Sequence, residues 1–277
     1  MGGGTISGDS LKSYWWLAFA AVFTAILVPL NYYFASTVGE GSVSAWAFSS
    51  KIIILFNGLF AYGVTAVVLP HLARKFDHEK NTTRRNHLYF LLVAGTWVGG
   101  FIALALSIFA EPLVYALLSK GNKMTEEQIT TLSRVMRLGA LQVPVAITAA
   151  IALKSAAISG AAVRTVTASC FGLLVNFLIN WLVVPIYGLE GIALGTLGGL
   201  MVSTLLLCIG LRPGFGISLL LGPVLTIGWL IWVGVAWAIE LHSAKSLLAA
   251  GVALVILVVV QWLFWSRQLH HRRSLRI

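Results

Sequence analysis

The chain has 277 residues, of which 58% are hydrophobic and only 10% charged, with a mean hydropathy of +0.91. A soluble domain carries about 25% charged residues, so a water-soluble globular fold is excluded and a polytopic all-α membrane protein is expected. The net charge of +10 is spread over short connections between apolar stretches and accompanies no RNA- or DNA-binding motif, so nucleic acid is excluded as a partner.

Crossing a hydrocarbon core about 30 Å thick takes about 20 apolar residues. Windows of that kind fall at 15–38, 44–72, 88–118, 138–158, 165–187, 191–211, 217–241 and 247–265, which predicts about eight transmembrane helices. They divide the chain into a polar, Gly/Ser-rich tail over 1–14 that is expected to be disordered, a six-helix lobe over 15–212, two further helices over 213–268 and a basic tail over 269–277. The opening MGGGTISGDS has no n-region, apolar h-region and cleavage pattern, so no cleaved signal peptide is expected. Cys170 and Cys208 both lie in apolar runs and read as small buried hydrophobes, with neither a disulfide framework nor metal-ligand spacing.

The first window contains Pro29, whose missing N–H frees the carbonyl of Ala25, and two residues later Asn31. After a tight GEGSVS connection the second window carries Lys51, about 10 Å along a helix that starts near Ser44. An ammonium at that depth costs on the order of 2.5–3.5 kcal/mol, so Lys51 is expected to face the protein interior or a water-filled cavity, and to mark function. Ser44, Gly58 and Thr65 share its face by heptad spacing, with Tyr62 close by. The plain alternative is a lysine that snorkels toward the headgroups.

The third window leads to KGNKMTEEQITTLSRVMR, residues 120–137, where apolar residues at helical spacing and Thr125 before acidic residues predict a capped amphipathic helix on the outer surface. Arg134 and Arg137 then lie at the interface, as headgroup or outer-gate contacts or as snorkelling side chains. Pro144 predicts a simple kink in the fourth window, with Gln142 the nearest polar residue. In the fifth and sixth windows, Asn176 and Asn180 share one helix face at i, i+4 and Thr196 follows in GIALGTLGG. With Asn31 they supply hard oxygen ligands for a cation, or else tie helices together by interhelical hydrogen bonds, and spacing alone leaves both readings open. The Gly/Ala-rich faces of SGAAVRTVTAS and GIALGTLGGL permit close helix approach. The last two windows hold Trp229, Trp232, Trp237, Trp262 and Trp265, which suit interfacial anchoring.

Lys and Arg sort the connections into two sets. One holds Lys12, then Arg74, Lys75, Lys80, Arg84 and Arg85, then Arg164, Arg212 and the Arg267–Arg276 tail; the other holds Glu40, the mixed Lys120–Glu127 segment, Glu190, and Glu240 with Lys245. The positive-inside rule therefore predicts both termini in the cytoplasm and the Lys120–Glu127 loop outside.

Two stretches resemble a known family. FASTVGEGSVSAWAFSSKIIILFNGLFAYGVTAVVLPHLAR and RTVTASCFGLLVNFLINWLVVPIYGLEGIALGTLGGL are similar to the seventh and eighth, and the eleventh and twelfth, helices of the MurJ/MviN lipid II flippases, within the multidrug/oligosaccharidyl-lipid/polysaccharide exporter superfamily. The resemblance covers the second half of that fold, with the last two windows corresponding to its two extra helices. It implies a flippase, or one lobe of it, that moves a lipid-linked sugar pyrophosphate across the bacterial cytoplasmic membrane by alternating access, with a second lobe supplied by a separate N-terminal half or a homodimer partner.

By the same resemblance Lys51, with Ser44 and Tyr62, falls on the substrate-binding face, and Asn31, Asn176, Asn180, Ile192 through its backbone, and Thr196 fall on a site for sodium as coupling ion. Asn31 and Asn180 stand where family members with a well-formed sodium site have acidic residues, so only weak sodium dependence is expected, and no other cofactor. No nucleophile–base pair, metal cluster or phosphate-cradling Gly-rich motif is found, so an enzyme is not expected. The competing readings are a transport-inactive scaffold or partner subunit in cell-wall assembly, and a drug/cation or polysaccharide exporter of the same superfamily.

Overall fold

The computed structural model describes residues 8–78, 81–118, 126–158 and 161–210. Among them the chain is helical throughout: α1 (Gly8–Val38), α2 (Ser42–His78), α3 (Asn81–Leu118), α4 (Glu126–Ala140), α5 (Gln142–Ile158), α6 (Ala162–Tyr187) and α7 (Leu189–Gly210). All belong to one compact unit, Met1–Trp229. The expected last two spans and the basic tail lie outside the described residues, as do Lys120, Lys123, Thr125 and the side chains of Tyr62 and Thr65; of the expected N-terminal tail, residues 8–14 are helical and belong to α1.

Six stretches are long and apolar enough to cross a membrane: Trp15–Val38, Ser42–Leu59, Leu91–Ala116, Gln128–Ala157, Ala162–Tyr187 and Leu189–Ile209. Their outward surfaces carry many large apolar side chains. On α1 Trp15, Phe19, Val22 and Ile26 are exposed, and on α6 Phe171, Leu174, Leu178, Trp181 and Leu182. Such a surface is costly in water and suited to lipid tails, so the chain is a multi-pass membrane protein.

Without a hydrophobic drive between helices in lipid, close packing and interhelical hydrogen bonds must join them. The most extensive pairing is α6 with α7. Gly191, Gly195 and Gly199 recur at four-residue spacing on α7 and face Val184, Asn180 and Gly172 of α6 in turn. A Cβ at Gly199 would stand 2.5 Å from the Gly172 carbonyl oxygen, and one at Gly191 2.9 Å from the Val184 backbone. The small-residue face expected in GIALGTLGGL thus brings the α7 backbone onto that of α6. Gly188 joins the two helices at φ 58°, its N–H donating to the Val184 carbonyl at 2.8 Å; that left-handed conformation suits glycine, which has no Cβ to clash.

The α3–α5 seam uses the same device. A Cβ at Gly99 would collide with the Pro144 backbone, and one at Gly95 would press on Ile147 and Ile151. Beside it Thr96 and Thr148 share a buried hydroxyl–hydroxyl hydrogen bond of 2.8 Å. An apolar cluster of Phe34, Ala35, Trp46, Val135, Val184, Leu189, Ile192 and Ala193 ties α1, α2, α4, α6 and α7 together, and a second of Ala110, Val114, Leu132 and Met136 ties α3 to α4.

Three expectations need correction. Residues 126–140 form the expected amphipathic helix, separate from α5, but its apolar face is turned to protein rather than to a membrane surface. Leu132, Val135, Met136 and Gly139 are buried at i, i+3, i+4 and i+7, and α4 packs against α2, α3 and α7; the apolar stripe that suggested an interfacial helix faces protein instead. Nor is Pro144 a kink in a continuous helix. The helix breaks at Leu141, whose N–H donates to the Leu138 carbonyl at 3.2 Å, and Pro144 is the third residue of α5, where a missing N–H costs no helical hydrogen bond. Finally, Cys208 is buried as expected, but Cys170 is exposed. It sits on the outward face of α6, and an apolar window cannot distinguish a lipid-facing cysteine from a core one.

Candidate functional site

Asn31, Asn176, Asn180, Ile192 and Thr196, separated in sequence by up to 165 residues, converge where α1, α6 and α7 meet. Asn176 and Asn180 are fully buried and Asn31 is nearly so. The i, i+4 spacing places the two α6 amides on the buried face with Gly172 and Val184, and the glycine stripe of α7 brings Thr196 within reach. Gly195 carries the closest approach: a Cβ there would overlap Asn180 Oδ1.

The five residues form one connected network. Asn180 Nδ2 donates to Asn31 Oδ1 and to Asn176 Oδ1, both at 3.1 Å. Asn31 Nδ2 donates to Thr196 Oγ1 at 3.0 Å, and Asn176 Nδ2 to the same oxygen at 3.4 Å. Thr196 Oγ1 donates in turn to the Ile192 carbonyl at 2.8 Å. Asn180 Oδ1 is buried and has no hydrogen-bond partner among the described residues. One turn along α7, Gln142 Nε2 donates to the Ala193 carbonyl at 3.4 Å, so the break between α4 and α5 is tied to the α7 turn that holds the cluster.

Lys51 lies elsewhere. The core face of α2 is Trp46, Ser49 and Ile53, all buried, whereas Ser44, Lys51, Leu55 and Leu59 are exposed. Lys51 is 5 residues beyond Trp46 and 2 beyond Ser49, about 140° and 160° around the helix at about 100° per residue. It therefore points out of this bundle rather than into it. The surface it shares with Ser44 is otherwise apolar, and the Tyr62 side chain expected beside it lies outside the described residues.

The lipid II flippase MurJ family model matches residues 12–271. This chain belongs to that family. It is also similar to a Bdellovibrio bacteriovorus protein named "Probable lipid II flippase MurJ", with 26% identity over 233 residues that cover 79% of this chain and 42% of the relative. The chain thus spans less than half the length of that curated relative. No solved structure matches it.

The MurJ resemblance implies sodium at the amide cluster, and the residues present do not fit it. Of the five oxygens, four already accept or receive hydrogen bonds from within the set, and the Asn180 amide nitrogen sits between two of them. None carries a charge, whereas ligand charge is a main control on affinity at oxygen sites. Among the described residues no group of three His, Cys, Asp or Glu side chains gathers to hold another metal.

Two ion pairs escaped the sequence reading. Arg137 Nη2 donates to Glu111 Oε2 at 3.2 Å, joining α4 to α3 with the arginine side chain only 14% exposed. Arg134 Nη1 lies 3.9 Å from Glu190 Oε1, reaching from α4 to α7. Both arginines therefore pair with carboxylates of neighbouring helices, and only Arg134 is largely exposed. Lys154, a second lysine inside an apolar window, is exposed on α5; a search for charges within spans finds it by the same rule that finds Lys51.

Proposed function

We propose that this chain is one lobe of a flippase for a lipid II-type peptidoglycan precursor in the bacterial cytoplasmic membrane, with both termini in the cytoplasm. The observation that carries the reading is family membership over residues 12–271 combined with a lysine that an apolar helix presents on its outward face. A charge at that depth is retained only where it meets water, protein or an anion. A lipid-linked sugar pyrophosphate supplies the anion, with Ser44 and, by the family resemblance, Tyr62 as further contacts. The sugar and pyrophosphate then cross along this surface while the lipid tails stay in the bilayer.

One ammonium neutralises only part of a pyrophosphate, and it lacks the two-pronged grip of a guanidinium. Further basic groups and the second wall of the path must come from additional protein, whether joined to this chain or separate, and alternating access is then a rocking of the two walls about the substrate. The protein does no bond chemistry in this account. Its contribution is to desolvate, hold and release a headgroup that cannot cross lipid unaided.

The test is reconstitution. Complexes purified from the native membrane through a tag on this chain are placed in vesicles, and lipid II transfer between leaflets is measured together with the mass of the complex. Lipid II transfer by a complex that contains a second lobe is expected. Failure to transfer, with cell-wall enzymes copurifying instead, would replace the flippase reading with that of a scaffold subunit.

A further inference from the structure

The amide cluster has the form of a cation cage whose centre is already filled. Asn31 Oδ1 and Asn176 Oδ1 both point at one Nδ2, that of Asn180, at 3.1 Å each. These are the oxygens that a cation would have to recruit. To do so it would have to eject an amide that already satisfies both of them, at a site where Asn176 and Asn180 are wholly buried. Asn180 is held in that pose on its other side, because Oδ1 occupies the space opened by Gly195 and lies there unpaired among the described residues. An unpaired buried carbonyl is costly, so the pose is retained for what the nitrogen does.

We propose that the Asn180 amide is a permanent, neutral substitute for a bound cation, so that α1, α6 and α7 are joined at this point without sodium and the junction does not respond to the sodium gradient. The partial positive charge of the NH2 group supplies the attraction between Asn31 and Asn176 that an ion would otherwise supply. Thr196 closes the ring by accepting from both of the other amides and donating to the Ile192 carbonyl. No charge has to be desolvated, so the joint can form and part without loading an ion from either side of the membrane. The inference does not rest on transport: its readout is ion-dependent stability, and its failure would leave the flippase reading standing.

The test uses the full chain in lipid nanodiscs and follows tryptophan fluorescence on heating in sodium chloride or in choline chloride of equal ionic strength. The wild-type midpoint is expected to be the same in both salts. Asn180→Asp removes the donor and Asn31→Asp adds a carboxylate while keeping an acceptor; each is expected to be less stable in choline and to regain stability in sodium. For a bound ligand in excess, each tenfold rise in sodium should then lift the midpoint by about 3–5 °C. A saturable, sodium-specific rise in the wild type that Asn180→Leu abolishes would overturn the proposal. So would two folded Asp variants that both ignore sodium. If neither Asp variant folds, the wild-type titration against Asn180→Leu still decides.

Discussion

Asn180 Nδ2 donates to Asn31 Oδ1 at 3.1 Å across 149 residues of chain, which makes α1 and α6 one unit in a membrane where apolar faces alone cannot choose partners. Cutting the bond from either side leaves a buried polar group behind. Asn180→Ala strands the oxygens of Asn31 and Asn176, and a stranded buried acceptor costs about 1–3 kcal/mol. Asn31→Leu strands the Asn180 nitrogen only in part, since Asn176 still accepts from it, and is expected to cost less. The double variant should cost less than the sum of the two, and a double-mutant cycle on thermal unfolding in nanodiscs reads that coupling directly.

Gly195→Ala is expected to destabilise the chain, because the new methyl takes the space of Asn180 Oδ1. The loss should shrink when it is combined with Asn180→Ala, which removes the obstructing group. Gly199→Ala should show no such rescue, since its Cβ meets the backbone oxygen of Gly172 at 2.5 Å and no side-chain truncation moves a backbone. Gly63→Ala, with nothing within 4 Å of its Cβ, serves as a neutral control. Detergent-resistant folded fraction and unfolding midpoint give the ranking.

Arg137 and Glu111 differ in burial, at 14% and 57% side-chain exposure, and their substitutions should differ accordingly. Glu111→Gln removes the charge of the exposed partner but leaves an acceptor oxygen for Arg137, and is expected to cost the less of the two. Arg137→Ala also removes the packed stem of a side chain that fills the α3–α4 seam, so it is expected to cost more. Equal losses from both substitutions would show that charge pairing rather than packing joins α4 to α3 here.

Orientation can be tested at two exposed positions. In a background with Cys170→Ser and Cys208→Ala, Glu40→Cys between α1 and α2 is expected to react with an impermeant thiol reagent in intact cells. Arg164→Cys at the start of α6 is expected to be protected until the membrane is opened. The expectation follows from the Lys/Arg asymmetry of the connections, and the opposite labelling pattern would invert the topology.

Much of this arrangement is legible in the residues themselves. Windows of apolar residues locate the described spans because hydropathy and length depend on local composition alone. The α6–α7 pairing is legible too, since glycines at four-residue spacing have one obvious use in lipid. Asn176 and Asn180 share a face by arithmetic, and their link to Asn31 needed only the guess that buried amides seek one another.

What escaped depends on tertiary geometry or on the identity of the surrounding medium. The break at Leu141 is a one-residue turn inside an apolar window, and Pro144 looks the same in a kinked helix as in the first turn of a new one. Glu111 and Arg137 are 26 residues apart on helices whose rotation no periodicity specifies. The buried stripe of α4 has the same pattern as a helix lying on a membrane. For Cys170, and for Lys51, an apolar span says that the residue is out of water without saying whether protein or lipid lies beyond it.

The most direct measurement on the central claim is the amount of lipid II reaching the outer leaflet in cells that depend on this chain, compared among wild type, Lys51→Ala and Lys51→Arg at matched protein level. Lys51 is exposed on α2, so neither substitution opens a cavity and both variants should accumulate normally. Loss of translocation in Lys51→Ala with activity retained or raised in Lys51→Arg, whose guanidinium grips phosphate oxygens in pairs, is the predicted result. Full translocation by Lys51→Ala would contradict it.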